Sequence, residues 1–126
     1  DMEYNYACYQ VMEEHHAHYI MQVKINPHDT NTLASASLDR TIKVWKLGQA
    51  DPLYTLEGHD LGVNCLDFCP NPGFLVSGSD DRTVKVWDLV TKTAVHTLEG
   101  HASNNITAVL YHPVLPVLIS ASEDGT

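Results

Sequence analysis

Basic side chains are scarce in this chain. Seven Lys and Arg stand against sixteen Asp and Glu, a net charge of −9. That balance disfavours nucleic-acid phosphates and anionic lipid as direct partners and favours cationic ones, although acidity of this kind is also common in soluble proteins that have no charged partner. Cysteine is limited to Cys8, Cys65 and Cys69. An odd number, without the doublets of a metal site or a secretory framework, reads as reduced thiols in a cytosolic compartment. Cys65 and Cys69 share one face if their stretch is a strand, and each reads as a small buried hydrophobe. No apolar run approaches the ~20 residues that cross a bilayer, and no N-terminal targeting segment is visible. A sustained helical period, a phosphate-binding glycine loop and a single nucleophile–base set are missing too. No catalytic residue and no cofactor is assigned.

What is present is duplication. "SASLDRTIKVWKL" (35–47) and "SGSDDRTVKVWDL" (77–89) differ mainly by conservative exchanges. His16, His59 and His101 recur at intervals of 43 and 42, Pro27, Pro70 and Pro113 at 43 and 43, and Asp39, Asp81 and Asp124 at 42 and 43. A third copy, "LISASEDGT", places Ser120 and Asp124 where Ser77 and Asp81 stand in the second, and the chain ends before its tryptophan. A chain of 126 residues would suit one ordinary core. A repeat cut off mid-copy, in a chain opening on Asp, reads instead as a piece of something longer.

Within each copy the pattern is short β segments between turn residues. "YIMQVKI" (19–25), "GVNCLDF" (62–68) and "ITAVLYH" (106–112) each run into a proline, which removes a ladder donor. "TLASAS", "FLVSGS" and "VLISAS" are the second strands, and "TIKVWKL" and "TVKVWDL" the third, rich in β-branched residues. "LYTLEGH" and "AVHTLEGH" supply the fourth, and "CYQVME" reads as the end of the same element from an earlier unit. Four strands per ~40–45 residues describe a propeller blade.

The order Gly58-His59, Ser77, Asp81, Trp87-Asp88 resembles the WD-repeat family. The resemblance implies an all-β, partial WD-repeat propeller of about three consecutive blades, the first and last incomplete. Residues 1–13 would hold the last strand of a preceding blade, 14–57 and 58–99 two blades, and 100–126 an incomplete one. It also implies a hydrogen-bonded series in each blade: His16, Ser35, Asp39 and Trp45; His59, Ser77, Asp81 and Trp87; His101, Ser120 and Asp124. Asp, His and Ser together suggest a hydrolase, but an active site is assembled once and this trio recurs. "VMEEHHAHYI" lacks the Gly-His pair, and spacing to Asp39 selects His16, with one residue inserted before it. Asn104-Asn105 inserts another, Tyr4 and Tyr6 stand where tryptophan is usual, and Lys46 replaces the acid after Trp45. His15, His16 and His18 beside Glu13 and Glu14 suggest zinc, but His16 is already committed and neighbours in an extended segment point apart. No metal site is assigned.

Stretches between the generic landmarks, such as "HYIMQVKINPHDTNTLASASLDRTIKVWKLG" and "HPVLPVLISASEDGT", resemble the beta-prime coatomer branch of the family, in the COPI vesicle coat. That likeness implies a non-catalytic coat component on Golgi and COPI membranes. Its partners would be other coatomer subunits and the dilysine retrieval signals of cytosolic cargo tails, with membrane association indirect through the coat and no nucleic acid bound. The matched peptide-binding position is Asp80, first of the Asp80-Asp81 pair, and repeat equivalence makes Glu123 a second acid and Leu38 its counterpart in the first copy. The alternative is another WD-repeat scaffold, an adaptor in a ubiquitin-ligase or signalling complex.

Overall fold

The computed structural model describes residues 7–12, 15–102 and 105–126. Tyr4, Tyr6, Glu13, Glu14 and Asn104 lie outside the described residues. Among the described residues ten antiparallel strands follow the repeat: β1 (Ile20–Ile25), β2 (Thr32–Ser37), β3 (Thr41–Lys46), β4 (Tyr54–Glu57), β5 (Val63–Phe68), β6 (Phe74–Ser79), β7 (Thr83–Asp88), β8 (Thr93–Glu99), β9 (Ile106–Tyr111) and β10 (Leu118–Ser122). They form two four-stranded meanders, β1-β2-β3-β4 and β5-β6-β7-β8, and the pair β9-β10. This is an all-β, partial propeller. β1 and β5 begin one residue later than the sequence pattern suggests, while β9 begins at Ile106 as read and ends one residue earlier; the register shifts between Ile20 and Gln22 and between Val63 and Cys65. Residues 7–12, read as the end of a preceding strand, carry no ladder pairing. Gln10 fixes this segment instead: its Nε2 donates to the Gln49 carbonyl at 2.8 Å and its Oε1 accepts from Gly48 N at 2.9 Å.

Each β2–β3-type turn needs one left-handed residue, and the copies supply Arg40 (φ 76°), Arg82 (φ 70°) and Gly125 (φ 88°). The arginines are tolerated there because an aspartate and a serine lock the turn. In the middle copy Ser79 Oγ accepts from Asp81 N at 3.1 Å, while Asp81 Oδ1 accepts from Thr83 N at 2.9 Å.

Side chains alternate between the two faces of every strand, so each sheet feeds two interfaces. Ile42, Val44 and Leu56 of the first sheet meet Leu66, Phe68, Leu75 and Trp87 of the second. Cys65, Cys69, Val76 and Val84 on the opposite face meet Ile106 and Val109. The two cysteines share a face, as their spacing suggests. Burial pushes their thiols up to about 11 for Cys65 and about 12 for Cys69, so they pack as inert hydrophobes. The first strands β1, β5 and β9 lie side by side. Side chains stitch them across sheets: Gln22 Oε1 accepts from Leu66 N at 2.8 Å, and Asp67 Oδ2 accepts from Tyr111 N at 2.9 Å.

The second and third sheets approach closely at Gly78, where a Cβ would collide with Ile106 Cγ2 and press on Cys65 Sγ at 2.8 Å. Alanine serves at the equivalent Ala36 and Ala121, but here the β-branched Ile106 takes the space. Gly78→Ala is expected to destabilise the protein by about 1–3 kcal/mol through overpacking, and to cost less when added to Ile106→Ala, which removes the Cγ2 that it meets. Denaturant midpoints of these proteins check this; an unchanged or raised midpoint for Gly78→Ala contradicts the packing.

Candidate functional site

The recurring polar residues converge at one end of each sheet. In the middle copy Asp81 Oδ2 lies 2.8 Å from His59 Nδ1, His59 Nε2 lies 2.7 Å from Ser77 Oγ, and Trp87 Nε1 donates to Ser77 Oγ at 2.7 Å. A carboxylate only accepts, so the imidazole proton sits on Nδ1 and Nε2 accepts from the serine hydroxyl. The series therefore runs in one direction: indole to hydroxyl, hydroxyl to imidazole, imidazole to carboxylate. The first copy repeats it, with His16 2.7 Å from both Asp39 and Ser35 and Trp45 Nε1 2.9 Å from Ser35 Oγ. In the third, His101 Nδ1 lies 3.1 Å from Asp124 Oδ2 and Nε2 2.9 Å from Ser120 Oγ. His16 makes these contacts in the copy that lacks Gly-His.

Serine, histidine and aspartate thus stand in the relative order of a hydrolytic triad, and burial removes the chemistry. Ser77 is 0% exposed and its oxygen already accepts the Trp87 indole N–H. No carbonyl can reach it, so the trio is structural. Both nitrogens of His16 are likewise engaged, by Asp39 and Ser35.

Threonine is a fifth member that sequence reasoning missed. Thr41, Thr83 and Thr126 donate Oγ1–H to Oδ1 of Asp39, Asp81 and Asp124 at 2.6, 2.5 and 2.5 Å. Its signal was available, since a threonine follows each of these aspartates by two residues. For Asp81, burial alone would raise the carboxyl, but hydrogen bonds from Thr83 and His59 outweigh it and hold the group below the ordinary 3.8. The same balance takes Asp39 down to about 2. His59 moves down from 6.5, because burial disfavours the imidazolium more than Asp81 favours it.

Asp80 and Glu123 sit beside these turns. Asp80 is half-buried and Glu123 exposed. Asn64 Nδ2 donates to Asp80 Oδ1 at 2.6 Å and lies 3.2 Å from the Ile106 carbonyl of the neighbouring sheet. Asn105 Nδ2 donates to Glu123 Oε2 at 2.9 Å. Each acid is therefore steadied by an amide. Sequence reasoning missed both asparagines, and they are not repeat equivalents: Asn64 aligns with Thr107, and Asn105 with Gly62. Leu38, the counterpart of Asp80, packs where a Cβ on Gly62 would stand.

The profile of the WD domain, G-beta repeat, matches residues 6–46, 50–88 and 92–126. Among curated proteins the chain is 57% identical to coatomer subunit beta' of Rattus norvegicus over 128 aligned residues, covering 100% of this chain and 14% of the relative. It is 57% identical to coatomer subunit beta' of Drosophila melanogaster, covering 96% of this chain and 13% of that protein. For coatomer subunit beta'-2 of Arabidopsis thaliana the identity is 56%, over 92% of this chain and 12% of the relative. The chain thus spans about an eighth of the length of these relatives.

Removing a central member strands the others. Ser77→Ala leaves His59 Nε2 and Trp87 Nε1 buried without partners and is expected to cost about 1–3 kcal/mol. Acid acts on the same network. His59 is depressed when folded, so its contribution is complete above pH 6.5 and shrinks as pH falls through its folded value. Asp39 and Asp81 are also depressed, so theirs is complete above about pH 3.8 and lost toward about pH 2, the Asp39 value. Unfolding free energies measured from pH 8 to about pH 2 should decline in two stages, with the upper stage missing in His59→Asn. Stability that rises between pH 7 and 5 is incompatible with a neutral His59.

Proposed function

Because the chain belongs to the WD domain, G-beta repeat family, we propose that it is a propeller segment of a COPI coat subunit of the beta-prime coatomer type, non-catalytic and presenting lysine-binding acids at its rim. The observation that carries this reading is the similarity to coatomer subunit beta' across the whole chain at 57% identity, well beyond the few residues that define a WD repeat. Its partners on this reading are other coatomer subunits and the dilysine tails of membrane cargo. Its place is the cytoplasm and, through the coat, the surface of Golgi and COPI membranes.

The chemistry of the rim supports the choice of ligand. A lysine ammonium carries three donors and a compact charge, and it needs a carboxylate that is held but not consumed. Asp81 is consumed, accepting from His59, Asp60 N and Thr83. Asp80, one residue earlier, has its Oδ1 steadied by Asn64 at a half-buried position, and Glu123 is its exposed counterpart one blade on. A pair of this kind is worth ~0.2–1 kcal/mol, so useful affinity requires several contacts, including cations for the peptide's terminal carboxylate, which the matched rim positions here do not supply.

A peptide ending in the dilysine motif, titrated at low salt, is expected to bind this chain weakly and an entire propeller of the same type more tightly. Asp80→Asn should weaken binding by up to about fivefold, as expected for one exposed ion pair, and added salt should erase the difference. Equal affinity for the chain and the entire propeller contradicts the division of contacts, and indifference to both Asp80→Asn and Glu123→Gln removes the rim acids from the reading.

A further inference from the structure

The first strands carry a further acid at the end away from the rim. Asp80 N donates to the Gly62 carbonyl beside the start of β5, whereas Asp67 stands near the other end of that strand. There Pro27, Pro70 and Pro113, which follow β1, β5 and β9, line one cavity together with His28, Phe68, Tyr111 and Asp67. Its volume is about 320 Å³, at the lower end of the ~300–1,000 Å³ usual for ligand sites, so it is sized for one side chain. Every wall is a first strand or the residues just after it. β1 and β5 leave the same inner edge unpaired in their four-stranded sheets as β9 does in its pair, so the cavity owes nothing to the shortness of the third sheet.

Asp67 is half-buried, and its repeat counterparts are Lys24 and Leu110, so an acid stands here in one copy alone. Its Oδ1 accepts from Phe68 N at 3.0 Å and its Oδ2 from Tyr111 N at 2.9 Å. Two backbone amides from neighbouring strands thus fix the carboxylate, one at each oxygen. A carboxylate oxygen has two lone pairs, so one is left on each, side by side. Asp81, by contrast, is spent on His59, Asp60 N and Thr83. Among the described residues the ion pairs all join a histidine to some other aspartate, and no cation neutralises Asp67. The walls do not compete for it either. Prolines have no N–H, and His28 Nε2 donates to the Cys69 carbonyl at 3.2 Å. The charge is felt next door, where burial and then Asp67 raise the Cys69 thiol.

We propose that this cavity is a binding site for a single arginine side chain of a partner peptide. A guanidinium offers two parallel N–H donors to the two remaining lone pairs, packs its flat faces against Tyr111 and the prolines, and sheds water more readily than an ammonium. Lysine, a compact point charge, fits less well. Because the cavity is half apolar, the pair forms at lower local dielectric than one on the open rim and is stronger for it. The site lies at the end of the sheets opposite Asp80 and does not depend on the coat reading.

The probe is the peptide acetyl-Ala-Arg-Ala-amide, titrated at low salt onto the 126-residue chain and followed through the backbone amide resonances of Phe68 and Tyr111, the two donors to Asp67. Both should shift saturably. The same peptide with citrulline, the neutral isostere of arginine, should bind about tenfold or more weakly, and the lysine peptide about threefold more weakly. Asp67→Asn should weaken arginine binding about tenfold or more. Tyr111→Leu keeps the backbone donor, and with it the anchor of the carboxylate, and should cost about threefold. Asp80→Asn should leave the Phe68 and Tyr111 shifts unchanged. Equal shifts with the arginine and citrulline peptides overturn the proposal without recourse to any variant, as do Phe68 and Tyr111 resonances that stay in place throughout. Shifts confined to Asp80 and Asn64 overturn it too, because the arginine then sits on the rim, and so does binding that neither Asp67→Asn nor Tyr111→Leu weakens.

Discussion

An imidazole wedged between a carboxylate and a hydroxyl holds each complete sheet together. His59 can be buried only because both of its nitrogens have partners, and those partners come from different segments: Asp81 from the β6–β7 turn and Ser77 from the middle of β6. The residue itself precedes β5, so one ring ties the loop between sheets to the turn and to an inner strand. Trp87 extends the tie to β7 by giving its N–H to the same serine. A group left unpaired in this environment costs about 1–3 kcal/mol, which makes the series all-or-none. Among the described side chains no buried nitrogen or oxygen lacks a partner, as that constraint requires.

The aspartate holds two loads at once. One carboxylate oxygen receives the imidazole and the other the threonine, and this double use explains why an arginine can occupy the left-handed turn position in two copies. Strain of about 1–2 kcal/mol at such a residue is distributed over a turn that four hydrogen bonds already define. The same double use decides which acid of Asp80-Asp81 is available to a ligand. Asp81 has no lone pair to spare, whereas Asp80 is positioned by Asn64 of its own sheet, which also donates to the Ile106 carbonyl of the next. Rim chemistry thus inherits its rigidity from the interface below it.

Periodicity made the architecture legible. Intervals of 42 and 43 fixed the strand order, the sheet count and the identity of His16 in a segment without the expected glycine. Strand interiors were read correctly because β-branched residues and terminal prolines mark them. Contacts that the repeat does not repeat stayed hidden. Asn64 and Asn105 hold Asp80 and Glu123 from non-equivalent positions, and Gln22 and Asp67 cross between sheets from different points on their strands. A single sequence carries no trace of such pairings, because the asparagine bonds fall at non-equivalent positions within their sheets and the Gln22 and Asp67 bonds depend on how two sheets meet. Thr41, Thr83 and Thr126 were different. They obey the period and were visible, but a threonine at a strand start was explained too easily by β propensity.

Repetition also turns each copy into a control for the others. Val23, Leu66 and Val109 are equivalent, yet they are 52%, 0% and 6% exposed. The difference cannot lie in the residues, which are all branched aliphatics of similar size, so it lies in whether a sheet covers them. Leu56 and Leu98 make the same comparison on the opposite side. Burial in this fold is a property of the interface between successive sheets, and each interface is built from the same few positions. An apolar residue exposed at one of those positions therefore identifies the kind of surface that fits it, in a way that exposure on an unrepeated fold would not.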